Sequence, residues 1–183
     1  MKKRALKKKY ALIDESGNLI IKGFASIRGD WAGIARKTQI KVFNALLKEK
    51  SEKKAIEIIK ETIKMLKEGK AKISDLIIRR QLTRPIELYK TMGPHVAVAK
   101  KLLKDGYEVE PGSLIEYVIV EGKGKIRDKA KPVYEVKEKV LKYDPDYYIN
   151  HQLLPAIDKI MEVLGIDEKD IETKQKKLSE YFI

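Results

Sequence analysis

Tyr89-Lys90-Thr91-Met92-Gly93-Pro94-His95-Val96-Ala97-Val98-Ala99-Lys100 is the stretch from which the rest of this chain is read. Pro94 suits the first turn of a helix, where a missing N–H leaves no hydrogen bond unmade. The helix it opens continues through Lys101, Leu102 and Leu103 and stops at Gly106. Short strands flank it: Leu76-Ile77-Ile78 before, and the Val- and Ile-rich run Leu114 to Val120 after. Two amphipathic helices precede these. Asp30 offers an N-cap to the first, whose buried stripe is Trp31, Ile34, Ala35, Thr38, Val42, Ala45 and Leu46. The second starts after Ser51, buries Ala55, Ile56, Ile59, Ile63 and Leu66, and ends at Gly69. Residues 7–24 read as a β-hairpin that turns at Ser16-Gly17-Asn18. Asp144-Pro145 begins a last helix to Gly165, which Pro155 should kink. The class is α+β with a largely helical body.

Composition narrows the chemistry. The chain has 183 residues and no cysteine, which excludes disulfides, thiolate metal sites and cysteine nucleophiles. Only His95 and His151 are histidines, so a histidine-rich metal cage is excluded too. Forty Lys and Arg against 27 Asp and Glu leave a net charge of +13, and the expected partner is a polyanion. The excess is uneven. Residues 1–9 carry six basic groups and no acid, residues 69–104 nine and two, and residues 121–142 eight and four. These three stretches would form one phosphate-tracking surface if the fold brought them together. No apolar run approaches the ~18 residues of a membrane span, and Tyr10 to Ile13 is too short for a signal peptide, so no membrane partner and a cytoplasmic location are expected. The Lys- and Glu-rich, cysteine-free composition hints at a thermophile.

Few motifs point to catalysis. Gly122-Lys123-Gly124 lacks the spacing of a nucleotide loop and is read as part of a basic loop. Asp144-Pro145-Asp146 could hold metals for phosphoryl transfer, but it reads better as a helix start. His95 fits a capping or phosphate-contacting role, and His151 the polar face of a helix. Alternation puts Lys8 and Tyr10 on one face of a strand, where the pair can reach phosphates or a minor-groove edge. On spacing alone, a solvated basic tail before a core tyrosine is favoured. The C-terminus is sharper. Gln175, Leu178 and the adjacent Tyr181 and Phe182 form a Q-x-x-h-x-x-a-a pattern, an apolar plug suited to docking behind the charged linker 166–174.

Taken in order, several stretches resemble the end of an archaeal family B DNA polymerase, where palm gives way to thumb. They are Lys7-Lys8-Lys9-Tyr10-Ala11, Arg28-Gly29-Asp30-Trp31, Gln81-Leu82-Thr83-Arg84, Tyr89 through Lys100, Pro111-Gly112-Ser113, and Tyr147-Tyr148-Ile149 through Gln152-Leu153-Leu154-Pro155. The tail is similar to the PIP box that binds the sliding clamp, PCNA. The resemblance implies a palm-completing hairpin over 1–27, a thumb over 28–165 and a linker with clamp-binding tail over 166–183. It implies duplex contacts at Lys8, Tyr10, Arg28, Gln81, Thr83, Arg84, Lys90, His95 and Gln152. Arg80 stands where an acid is common, which adds to the phosphate-facing charge. Gly29 replaces a second arginine, and Asn150-His151 stands where the family has Glu-Asn.

The family's metal-binding aspartates lie upstream of the Lys-x-Tyr element, so the chain is expected to hold no catalytic residue, metal or cofactor of its own. It is read as the small subunit of a split polymerase, inactive alone, completing a large subunit that binds magnesium. Its partners would be that subunit, primer–template DNA and the clamp, which Gln175, Leu178, Tyr181 and Phe182 would engage. Alternatives are a stand-alone duplex- and clamp-binding adaptor and a phosphoryl-transfer enzyme using Asp144 and Asp146.

Overall fold

The computed structural model describes residues 9–24 and 30–165. It is an α+β fold with two small antiparallel sheets. The first is the expected hairpin, β1 (Tyr10–Ile13) and β2 (Leu19–Lys22), with Tyr10 opposite Lys22 and Ile13 opposite Leu19. Its turn is held by Asp14, whose carboxylate accepts the Asn18 amide at 2.7 Å, and by Gly17 at φ 80°.

Helices α1 (Gly33–Leu47) and α2 (Glu52–Lys67) pack together on their apolar stripes, with the hydroxyls of Thr38 and Thr62 3.3 Å apart between them. Ser51 caps α2 through its hydroxyl, which accepts the Lys54 amide at 3.2 Å, and Gly69 takes the left-handed position after it. The start of α1 departs from expectation: Ala32, not Asp30, holds the cap position. The Ala32 amide donates instead to Gln152 Oε1 at 2.7 Å, 120 residues away. A long-range side chain has replaced the local cap.

The second sheet has the order β3-β4-β5, formed by Ile78–Gln81, Leu114–Ile119 and Ala130–Pro132. Ile78 faces Tyr117, and Tyr117 faces Pro132. The expected strand at Leu76 begins two residues late, because Ile73–Leu76 winds into one helical turn, α3. There the Leu76 carbonyl accepts the Tyr148 hydroxyl at 2.8 Å. Helix α4 (Pro94–Lys104) lies against β4 and β5, opens at Pro94 and ends before Gly106 at φ 90°. The segment 121–142 also holds α5 (Ile126–Lys129) and α6 (Val133–Glu138) around β5. Three residues with a proline leave no alternation to detect, and Pro132 is tolerated because β5 is an edge strand.

The last helical region starts as expected at Asp144, whose Oδ1 accepts the Tyr147 amide at 3.0 Å. It is not one kinked helix. A turn, α7 (Pro145–Tyr148), widens into a π segment over Ile149–Leu153 and tightens again as α8 (Leu154–Leu164). The wide turn absorbs the ladder bond that Pro155 cannot make. No helix among the described residues is long and apolar enough to cross a membrane.

One residue after the C-cap of α6 is strained. Val140 sits at φ 49°, 84% exposed, where Leu141 donates back to the Val136 carbonyl at 3.0 Å. Glycine ordinarily fills this left-handed position, and a β-branched residue there is unfavourable by ~1–2 kcal/mol. Val140→Gly is expected to stabilise the fold by ~0.5–1 kcal/mol, after part of the relief is lost to the greater freedom of an unfolded glycine. Urea denaturation measures it.

Candidate nucleic-acid interface

The loop between β3 and α4 is built around Tyr89. Its hydroxyl accepts the Thr83 amide at 2.9 Å and lies 3.3 Å from the Thr83 hydroxyl. The Arg84 guanidinium sits 5.4 Å from the centre of its ring, and the His95 imidazole meets it edge-on at 5.6 Å. Below the loop, Gln81 Nε2 donates to the Gly112 carbonyl at 3.0 Å and the Gly112 amide to the Leu82 carbonyl at 2.7 Å. The turn at Pro111-Gly112-Ser113 thereby fixes the end of β3.

These contacts shape a cleft of 380 Å³ lined by Arg80, Gln81, Thr83, Arg84, Tyr89, Thr91, Gly93 and His95. Among the described residues no carboxylate lines it. Arg80, Arg84 and the adjacent Lys90 make no ion pair among the described residues. Alternation along β3 sends Arg79 the other way, into a 2.5 Å pair with Glu116. His95 is 7% exposed, and its buried Nδ1 has no hydrogen-bond partner among the described residues. Burial, helped by the Arg80 charge, holds this imidazole below the ordinary histidine value, so it is neutral at pH 7.

Arg80 also lines a second cleft of 610 Å³, with Lys125 and Arg127 across from it and Asp30, Tyr117, His151 and Gln152 among its walls. The Lys125 amide donates to Asp128 Oδ2 at 3.1 Å, which pins the basic loop at the mouth. Gly124, at φ 102°, lets the chain turn there. Two of the three basic stretches therefore meet, 69–104 through Arg80 and 121–142 through Lys125 and Arg127.

The other residues singled out in the sequence fall elsewhere. Tyr10, with Lys9, lines an apolar cavity of 350 Å³ closed by Phe24, Phe43, Leu46, Ile160 and Leu164. Lys9 Nζ stands 6.0 Å from the Phe24 ring, so what the structure describes of the first basic stretch faces neither cleft. Gln152 reaches the second cleft, but both ends of its amide are committed, Oε1 to Ala32 and Nε2 to the Tyr147 hydroxyl at 3.3 Å. Lys8, Arg28, Gln175, Leu178, Tyr181 and Phe182 lie outside the described residues. Asp144 is bound to Lys129 and caps α7. Burial works against its charge, but the Lys129 ammonium and the Tyr147 amide outweigh it and hold the carboxyl below its ordinary value. Among the described residues no three His, Asp or Glu side chains gather as metal ligands. Sequence reasoning missed Tyr89 as organiser, and Lys125 and Arg127 as cleft residues. The excess of charge over 121–142 was the one signal for the latter pair.

Residues 1–164 match the family described as DNA polymerase family B. A DNA polymerase of Thermococcus aggregans is 42% identical over 171 residues, covering 93% of this chain and 9% of that protein. One from Pyrococcus glycovorans is also 42% identical over 171 residues, covering 93% of this chain and 22% of its own length. The chain thus spans less than a quarter of these relatives. The family B DNA polymerase structure from Pyrobaculum calidifontis superposes with a TM-score of 0.74 at 39% identity, covering 88% of this chain and 21% of that one. With the family match running through both sheets and every described helix, this chain belongs to the family B DNA polymerases.

Proposed function

We propose that residues 28–165 act as the thumb of a DNA polymerase, holding primer–template duplex by its phosphates, and that residues 1–27 complete the palm. The observation that carries this reading is the pair of adjoining clefts that share Arg80. Guanidinium and ammonium groups converge there with the neutral donors Gln81 and Thr83; Arg80, Arg84 and Lys125 make no ion pair among the described residues, and Arg127 is paired with Asp128 at 3.8 Å. Such a set neutralises phosphates and positions a duplex without reading its sequence, as a polymerase requires. Lys8, Arg28 and Lys90 extend the proposed contact; Gln152 walls the second cleft with its amide committed to Ala32 and Tyr147, and Tyr10 lies on the apolar cavity away from both clefts.

In this reading the chain is the non-catalytic small subunit of a split enzyme. The catalytic carboxylates and their magnesium belong to a separate large subunit, and Gln175, Leu178, Tyr181 and Phe182 dock on the sliding clamp. Calorimetric titration of the full chain with a primer–template duplex, with the clamp, and of both in a primer-extension assay with the large subunit tests it. Salt-sensitive duplex binding, clamp binding lost in Leu178→Ala, and extension only when both subunits are present are the expected results. Absence of duplex binding at low salt overturns the thumb assignment. Duplex and clamp binding without any gain in extension would instead make the chain a stand-alone adaptor.

A further inference from the structure

We propose that His95 is a proton-coupled phosphate ligand, so that seating a duplex phosphate in the acid-free cleft takes up one proton at this side chain. The inference rests on the duplex-holding reading and deepens it.

Three observations on the cleft converge. His95 is 7% exposed, and its Nδ1 has no hydrogen-bond partner among the described residues. A buried polar nitrogen without a partner is uncommon in a folded protein and calls for a ligand or a function. Second, His95 follows Pro94 in the first turn of the 11-residue helix α4. The amides of Val96 and Ala97 both donate to the Gly93 carbonyl, at 3.1 and 3.0 Å, while the His95 amide meets no acceptor among the described residues. An uncommitted amide at a helix N-terminus attracts anions. Third, the ring is held in place. A Cβ at residue 93 would come within 3.2 Å of His95 Nδ1 and Cε1, and the Tyr89 ring closes the other side.

Among the described residues, the charged and titratable groups facing His95 are Arg80 from β3 and Arg84 and Tyr89 from the loop, and no acid lines the cleft. In the free protein, burial and Arg80 therefore keep the imidazole neutral. A phosphate brings the missing negative charge. It favours the imidazolium, which has two N–H donors where the neutral ring has one. By linkage, whatever raises proton affinity in the complex makes the complex tighter as pH falls.

The test uses the full chain and a primer–template duplex at low salt. The imidazole signals of the two histidines are followed by NMR through a pH titration, free and with saturating duplex. The signal that His95→Gln deletes identifies His95. Its midpoint is expected to rise by about one unit or more in the complex, and the duplex Kd to fall up to ~10-fold per pH unit on acidification between the two midpoints. His95→Gln is expected to bind duplex with that pH dependence removed. A duplex-saturated protein whose His95 titrates as it does when free overturns the inference while leaving duplex holding intact. Failure to bind duplex at any pH overturns the proposed function as well. If His95→Gln does not fold, His151→Gln leaves His95 as the one histidine signal, and its titration decides the matter.

Discussion

Replacing Arg80 and Arg84 together by alanine is expected to weaken duplex binding by ~10–100-fold at low salt, each phosphate contact carrying ~0.7–1.4 kcal/mol. Both side chains are exposed, neither makes an ion pair among the described residues, and neither belongs to the hydrophobic core. The fold should therefore survive, which circular dichroism checks. The sharper readout is salt dependence. Each cation that neutralises a phosphate adds ~0.9 to the slope of log K against log salt, so the double variant should lose ~1.8 from that slope. Lys41→Ala with Lys53→Ala removes the same charge from exposed positions on α1 and α2 that line neither cleft. If that control lost as much affinity and slope, the cation excess would act as a diffuse field and the cleft would not be the binding site. Removing Arg80 also removes one of the two causes that hold His95 neutral. The His95 midpoint should move up toward the ordinary value in the free Arg80→Ala protein.

How much of this was legible in the sequence depends on how far apart the interacting residues lie. Pro94, Gly106, Ser51 and Gly69 act on their own turns, and they mark helix ends where the structure has them. The run from Gln81 to His95 is close enough in sequence for its cleft to be read as a unit. Ala32 is different: its cap arrives from Gln152, and nothing within ten residues of Asp30 announces it. The π segment before Pro155 was half legible. A proline predicts a disturbance, but the buried Tyr148, Ile149 and Leu153 decide whether the helix bends or widens. Lys125 and Arg127 joined the site through the pairing of β4 with β5, and β5 is too short to show a period. The charge runs were visible, yet charge carries no address. Only the fold separates Lys9 and Tyr10, on an apolar cavity, from Arg80 and Lys125, on the basic clefts.

Tyr148→Phe is expected to be strongly destabilising for the loss of a single atom. Tyr148 is fully buried, with Tyr143 and Tyr147 edge-on to its ring at 6.0 and 5.3 Å. Its hydroxyl donates to the Leu76 carbonyl at 2.8 Å and accepts the Ile119 amide at 3.0 Å. One oxygen thus ties α7 to the end of α3 and to β4, the two elements that flank the start of β3 and hence Arg80. Phenylalanine fills the same space but leaves a buried N–H and a buried C=O unpaired, at ~1–3 kcal/mol for each orphaned group. A loss of ~3 kcal/mol is expected, which lowers the thermal midpoint by ~6–12 °C for a chain of this size. Tyr147→Phe is the contrast. Its hydroxyl, part-buried, meets only Gln152 Nε2 at 3.3 Å, and its removal should cost less than ~1 kcal/mol. The pH dependence carries an independent signature. Burial raises the Tyr148 phenol far above the ordinary tyrosine value. A group whose folded pKa is raised contributes stability that is complete below the unfolded value, ~10 for tyrosine, and lost as pH climbs past it. The gap between wild type and Tyr148→Phe should therefore be full at neutral pH and shrink above pH ~10. Equal stabilities at pH 7, or a gap that grows with alkali, would mean the hydroxyl is not the tie between these elements.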